Sequence, residues 1–109
     1  MYCMLIQRGD SLTAHQDKSE PNPSAPLVSI SIGLDAVFLI GSSSRDVKPL
    51  AILLKSGDVL VMAGPARRSF HGIPRVEPCT LSTAWDNCSE DLRKFMTDSR
   101  ININVRQVN

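Results

Sequence analysis

The sequence predicts a mainly β fold, a sandwich or barrel with one short helix before the last strand. Short apolar or alternating runs recur at ~8–12-residue spacing, separated by turn residues, which is the pattern of many short strands. Ile101, Ile103 and Val105 alternate with Asn102, Asn104 and Arg106, the cleanest strand signal in the chain. The stretch from Ser82 to Ser99 breaks the period of two, placing Trp85, Leu92, Phe95 and Met96 at helical spacings.

Tyr2 to Gln7 is a short apolar run bounded by Arg8-Gly9-Asp10, a strand and a turn. Thr13 to Asp17 is expected as the next strand, and alternation then puts His15 and Asp17 on one face. Glu20 to Pro26 carries three prolines with Asn and Ser and reads as a loop. Leu27 to Ile32 alternates apolar residues with Ser, a half-buried strand. Gly33-Leu34-Asp35 is a tight turn, Ala36 to Ile40 the returning strand, and Gly41 to Arg45 a Ser-rich loop. Pro49 to Lys55, Val59 to Ala63 and Ser69 to Ile73 are further strands. Ser56-Gly57-Asp58 and Gly64-Pro65-Ala66-Arg67-Arg68 separate them. A helix is expected from about Ser89 to Thr97, with Ser89 as its N-cap.

The 109 residues suffice for one small domain. Apolar content of 42% and charged content of 21% fit a globular domain. The net charge of +1 points to neither nucleic acid nor membrane, and no apolar run approaches the ~20 residues of a span. Met1 to Asp10 has no basic n-region and no cleavage pattern, so no signal peptide is read there. Cys3, Cys79 and Cys88 are odd in number and lack metal spacing. That favours a reducing compartment, hence an intracellular location: nuclear, cytoplasmic or mitochondrial. Without secretion, the glycosylation acceptor Asn87-Cys88-Ser89 carries no meaning, and Arg8-Gly9-Asp10 reads better as a turn than as an adhesion tripeptide.

Five polar positions carry the chemistry. His15 and Asp17 form an H-x-D tripeptide, His71 follows a long strand-rich stretch, and Arg100 and Arg106 close the chain. Two histidines and a carboxylate suit an octahedral Fe(II) that keeps three positions open. Guanidinium binds a carboxylate through two parallel hydrogen bonds, so the arginines suit a carboxylate-bearing cosubstrate. Each piece alone is commonplace; their order along the chain gives them weight.

The run from His15 to Pro21, the Ala25 to Gly33 segment, Ser56 to Val59, His71 to Arg75, and Arg100 to Gln107 together resemble the AlkB family of nucleic-acid dealkylating dioxygenases. The resemblance covers about Gly9 to Val108. Trp85 to Lys94 resembles the eukaryotic homologue-1 branch more than the short bacterial form. This resemblance implies the double-stranded β-helix, or jelly roll, with the iron site in the mouth between the sheets. It implies Fe(II) held by His15, Asp17 and His71, with 2-oxoglutarate and O2 as cosubstrates. Arg100 would pair with the distal carboxylate of 2-oxoglutarate, Arg106 would order the site, and Asn102 and Ser29 would line the pocket. The implied activity is oxidative demethylation of N-alkylated bases in DNA or tRNA, with the methyl group leaving as formaldehyde. Lys18, Arg45, Lys48, Arg67, Arg68 and Arg75 are the basic residues available for phosphates, with the Arg67-Arg68 pair the best candidate.

The sequence also departs from the family. It is expected to be a single domain over 1–109, a C-terminal catalytic portion truncated at the N-terminus, without the lid that grips the nucleotide. A family Asn and Tyr on the first strand fall at Met4 and Ile6, and the acidic residue two after the metal Asp falls at Ser19. These departures support a second reading, a non-catalytic jelly-roll remnant that retains weak iron or partner binding. The intact ligands and arginines support the enzyme.

Overall fold

The computed structural model describes residues 2–7, 9–18, 22 and 24–107. Among them the strands are β1 (Tyr2–Gln7), β2 (Leu12–His15), β3 (Leu27–Gly33), β4 (Ala36–Ile40), β5 (Leu50–Leu54), β6 (Val59–Met62), β7 (His71–Val76) and β8 (Ser99–Val105). A helix, α1 (Glu90–Thr97), precedes β8, and single 3-10 turns occupy Gly64–Arg68 and Thr83–Asn87. Arg8, Ser19, Glu20, Pro21, Pro23 and Val108 lie outside the described residues, and with them the Ser19 departure and parts of the expected Arg8 turn and Glu20 loop.

The strands form two four-stranded antiparallel sheets, ordered β1-β8-β3-β6 and β2-β7-β4-β5. The chain changes sheet at every step between strands except β4 to β5. Of sandwich and barrel, this is the sandwich in its jelly-roll form, as the resemblance implied. Ile6, Leu27, Leu34, Ala36, Phe38, Leu54, Met62, Ile73 and Val76 pack the core between the sheets.

Helix α1 starts at Glu90, where Ser89 Oγ accepts from Leu92 N at 3.3 Å as the N-cap. Glu90 and Asp91 sit in its positive first turn, and Glu90 pairs with Lys94 one turn on. Buried Met96 docks the helix beside Gly33, whose φ is +100°. A Cβ at Gly33 would lie 2.5 Å from both Met96 Cε and Ser99 O, so only glycine fits that close approach.

Two strand boundaries differ from the sequence expectation. β2 ends at His15, and Asp17 lies beyond it. His15 is opposite His71, the first residue of β7, so residues 16–17 have no ladder partner. β7 in turn begins two residues later than expected, because Ser69 closes the preceding turn through its N–H to Ala66 O. It also runs on through Pro74 to Val76, because the β4 pairing shifts register between Val37 and Leu39, and that irregularity accommodates a residue lacking a ladder donor.

The sheet containing β8 has an uncommon polarity. Arg100 and Asn102 point inward and are buried, while Ile101 and Ile103 are part-buried and Val105 is exposed. In β3, Ser29 and Ser31 are buried, and Val28, Ile30 and Ile32 are only part-buried. Registered across the sheet, the outer face is apolar in rows: Leu5–Ile101–Ile32, Cys3–Ile103–Ile30–Val59 and Val105–Val28–Val61.

Candidate metal and cosubstrate site

His15 and His71 face each other across the β2–β7 pair, with ring centroids 4.4 Å apart. Between Leu12 and His15 the register shifts by one residue against β7, and Gly72 lies under that bulge. A Cβ at Gly72 would fall 2.7 Å from Leu12 O, so the close approach of the two ligand strands needs glycine there. Asp17 completes the site: Oδ1 lies 3.6 Å from His15 Nε2 and Oδ2 lies 3.3 Å from His71 Nε2.

Both imidazoles are oriented by the backbone. His15 Nδ1 lies 2.9 Å from Thr13 O, and His71 Nδ1 lies 3.0 Å from Ser69 O. A carbonyl only accepts, so each Nδ1 carries a proton and donates it, which leaves Nε2 to meet Asp17. The ligand atoms of the three residues lie within 4.8 Å of one another. Neighbouring ligands at ~2.1 Å from an octahedral first-row metal stand ~3 Å apart, so the separations seen here need only a small contraction around an ion. The residues fit Fe(II).

The three side chains perturb one another electrostatically. The His71 hydrogen bond holds the Asp17 carboxyl below its usual range against the opposing effect of burial, with help from Arg106, His71 and His15. Burial pushes the His71 imidazole down. The Asp17 hydrogen bond, the Ser69 carbonyl and the Asp17 charge outweigh it, so the net shift is upward.

Deeper in the same pocket lies Arg100, which is 0% exposed. Its Nη2 donates to Ser31 Oγ at 2.8 Å, while Nε and Nη1 have no hydrogen-bond partner among the described residues. Burial lowers its pKa, but arginine stays charged. A buried cation with two idle donors is costly unless an anion arrives. The bidentate fork of a carboxylate is the matching acceptor, so the site also fits 2-oxoglutarate. Asn102 Nδ2 donates to Ser29 Oγ at 2.7 Å, and both residues line the pocket. Arg106 sits nearer the metal ligands, with Nη2 3.4 Å from Asp17 Oδ1. Met4 and Ile6 also line the pocket, directly opposite Asn102 and Arg100 in the β1–β8 register.

A sequence model described as "2OG-Fe(II) oxygenase superfamily" matches residues 5–106. The chain belongs to that superfamily. It is 43% identical over 107 residues to the tRNA demethylase abh1 of Schizosaccharomyces pombe, covering 92% of this chain and 33% of that protein. It is 44% identical over 108 residues to the DNA N(6)-methyladenine demethylase ALKBH1A of Arabidopsis thaliana, covering 92% of this chain and 31% of that one. The solved structure of OsALKBH1 superposes with a TM-score of 0.76 at 34% identity, over 96% of this chain and 48% of that one. The AlkB resemblance, and within it the homologue-1 branch, is thereby shown. The chain spans about a third of the length of these two curated relatives.

Arg67, expected with Arg68 as the best phosphate contact, is 2% exposed and so cannot serve as one. Its Nε donates to Ala25 O at 2.9 Å and its Nη1 to Asp17 O at 3.0 Å. Arg68 is exposed and carries the pair's phosphate potential by itself. Arg75 is engaged by Glu77, and Arg45 donates to Ala14 O and lies over the Phe70 ring. Sequence reasoning also passed over Gln16, whose Nε2 donates to Arg68 O at 2.7 Å, and Gly72 beneath the bulge. The middle of an H-x-D tripeptide and a glycine after the second His are at positions a sequence reading can flag. Nothing local separates Arg67 from Arg68.

Proposed function

We propose that this chain holds Fe(II) on His15, Asp17 and His71, binds 2-oxoglutarate against Arg100, and demethylates N-alkylated bases of DNA or tRNA. The observation that carries the reading is the convergence of the three ligands with both Nδ1 atoms tied to backbone carbonyls, which aims both Nε2 atoms at one point. Bound Fe(II) would supply the oxidation: 2-oxoglutarate and O2 would give succinate and CO2, with one oxygen atom of O2 hydroxylating the substrate's N-methyl carbon, whose C–N bond then breaks to release formaldehyde and the free base.

The chain's own residues prepare that event. Thr13 O and Ser69 O hold the imidazoles in the ligating tautomer. Arg100 receives the distal carboxylate with its two idle donors, and Ser31 holds the guanidinium in place. Asn102 and Ser29 brace the pocket wall, and Arg106 neutralises Asp17 on the side facing β8. The names of the relatives, a tRNA demethylase and a DNA N(6)-methyladenine demethylase, support a methylated nucleobase as substrate. Such a base must be flipped out or single-stranded to reach the site. Exposed Lys18, beside Asp17, and exposed Arg68 are suited to phosphates. Three free, exposed thiols support an intracellular, reducing location.

The test has two arms. Mn(II), a redox-silent stand-in, should bind one site per chain and be lost with His71→Ala. Formaldehyde should be released from N-methylated single-stranded DNA or methylated tRNA with Fe(II), ascorbate and 2-oxoglutarate, and not by Asp17→Ala. Equal Mn(II) binding by wild type and His71→Ala would overturn the metal assignment. Mn(II) binding without formaldehyde release would favour the remnant that keeps iron but not catalysis.

A further inference from the structure

Strand β2 is weakly held for an element that carries a metal ligand. Its pairing with β7 is registered at Leu12 and His15, with a bulge between, and Asp17 lies past its end. What fixes the Asp17 backbone is a side chain from elsewhere. Arg67, buried in the turn before β7, donates Nη1 to Asp17 O at 3.0 Å and Nε to Ala25 O at 2.9 Å. One guanidinium therefore ties both ends of the connection from β2 to β3. The neighbouring pair of residues returns the bond: Gln16 Nε2 donates to Arg68 O at 2.7 Å, and to Ser43 O at 3.4 Å. Residues 16–17 and 67–68 thus exchange hydrogen bonds in both directions.

Both partners of this exchange lie close in sequence to metal ligands. Gln16 lies between His15 and Asp17, and Arg68 precedes His71 by three positions, next to Ser69, whose carbonyl orients His71 Nδ1. We propose that Arg67 and Gln16 form a reciprocal brace that presets the distance between Asp17 and His71, making Arg67 a positioning residue for the metal site. The inference rests on the triad being the Fe(II) site. A flexible lysine cannot reproduce the brace, because it lacks the planar fork that reaches two carbonyls in fixed directions. Groups that orient metal ligands typically change metal affinity by about 10–100-fold when removed.

The test measures Mn(II) dissociation constants and the visible spectrum of the Co(II)-loaded chain, with far-UV circular dichroism to confirm folding. Arg67→Lys and Gln16→Ala should each weaken Mn(II) binding by about tenfold or more at temperatures where the variant is folded. Their Co(II) spectra should shift, reporting altered ligand geometry. Gln16 is part-buried at the surface, so its truncation keeps the brace testable if Arg67→Lys does not fold. Gln16→Lys, which can still donate to Arg68 O, should recover part of the affinity. Folded variants with the wild-type constant and spectrum would overturn the brace while leaving the metal site standing. Failure of the wild-type chain to bind Mn(II) at all would overturn the site reading and the brace together.

Discussion

His71 stands between two acceptors, with Nε2 3.3 Å from Asp17 Oδ2 and Nδ1 3.0 Å from Ser69 O. In the metal-free chain that position favours the imidazolium, with a proton on the nitrogen that a metal would need. Metal and proton therefore compete for one atom.

The pH dependence follows from that competition. Asp17 is depressed and His71 is raised, so the Asp17–His71 ion pair exists between those two folded-state values. The depressed Asp17 contributes stability above its ordinary value of 3.8, lost as pH falls through the folded value. The raised His71 contributes stability below its ordinary value of 6.5, lost as pH rises through the folded value. With chelator present, thermal midpoints should decline on both sides of that window, and Asp17→Asn should flatten the alkaline decline. Mn(II) affinity should run the other way, rising with pH as the His71 proton leaves. A pH-independent Mn(II) constant across this range would contradict the competition.

The two arginines should separate in binding experiments. Arg100 is buried with two idle donors, whereas Arg106 faces Asp17 at 3.4 Å. One charge-assisted hydrogen bond contributes ~1.5–3 kcal/mol, so Arg100→Lys should weaken 2-oxoglutarate binding about tenfold or more. Arg106→Lys should change it less. Calorimetry with Mn(II)-loaded protein gives both constants, and the reverse ranking would exchange the two roles.

Gly72→Ala should harm both fold and site. The added methyl would sit 2.7 Å from Leu12 O, a backbone atom that cannot rotate away. Overpacking of this kind costs about 1–3 kcal/mol. Relief comes from moving β2 off β7, which parts His15 from His71. Chemical denaturation should report the stability loss, and Mn(II) titration a weaker site. Retained affinity would show that β2 relaxes without carrying His15 along.

The apolar outer face of the β1-β8-β3-β6 sheet should bind a naphthalene sulfonate dye in the native state. Val59 is 59% exposed and Val61 56%, in rows continuous with Val28, Ile30 and Val105. Val59→Lys with Val61→Thr should cut the fluorescence while preserving the circular dichroism. Undiminished dye binding would place the apolar surface elsewhere.

The β1 and β4 boundaries, the helix before the last strand and its Ser89 cap could all be read locally, because turn residues and capping residues act over a few positions. The ends of β2 and β7 could not. A strand stops where its partner stops, and β2 stops at His15 because β7 starts opposite it. The same limit hid Arg67, which the sequence offers as one more basic loop residue and the fold buries against two carbonyls 42 and 50 positions away.

What the sequence by itself determined was the ligand set and the alternation of β3 and β8, since residue identity and period are written in the chain. Tertiary structure decided which side of that alternation faces inward. In β8 the core side is Arg100, Asn102 and Asn104, continued by Arg106 just past the strand's end, and the outer side is the aliphatic one, the reverse of the usual partition. A period of two is symmetric under exchange of faces. Only the packing of the second sheet, which brings His15, Asp17 and His71 over β8, makes the polar side the inside.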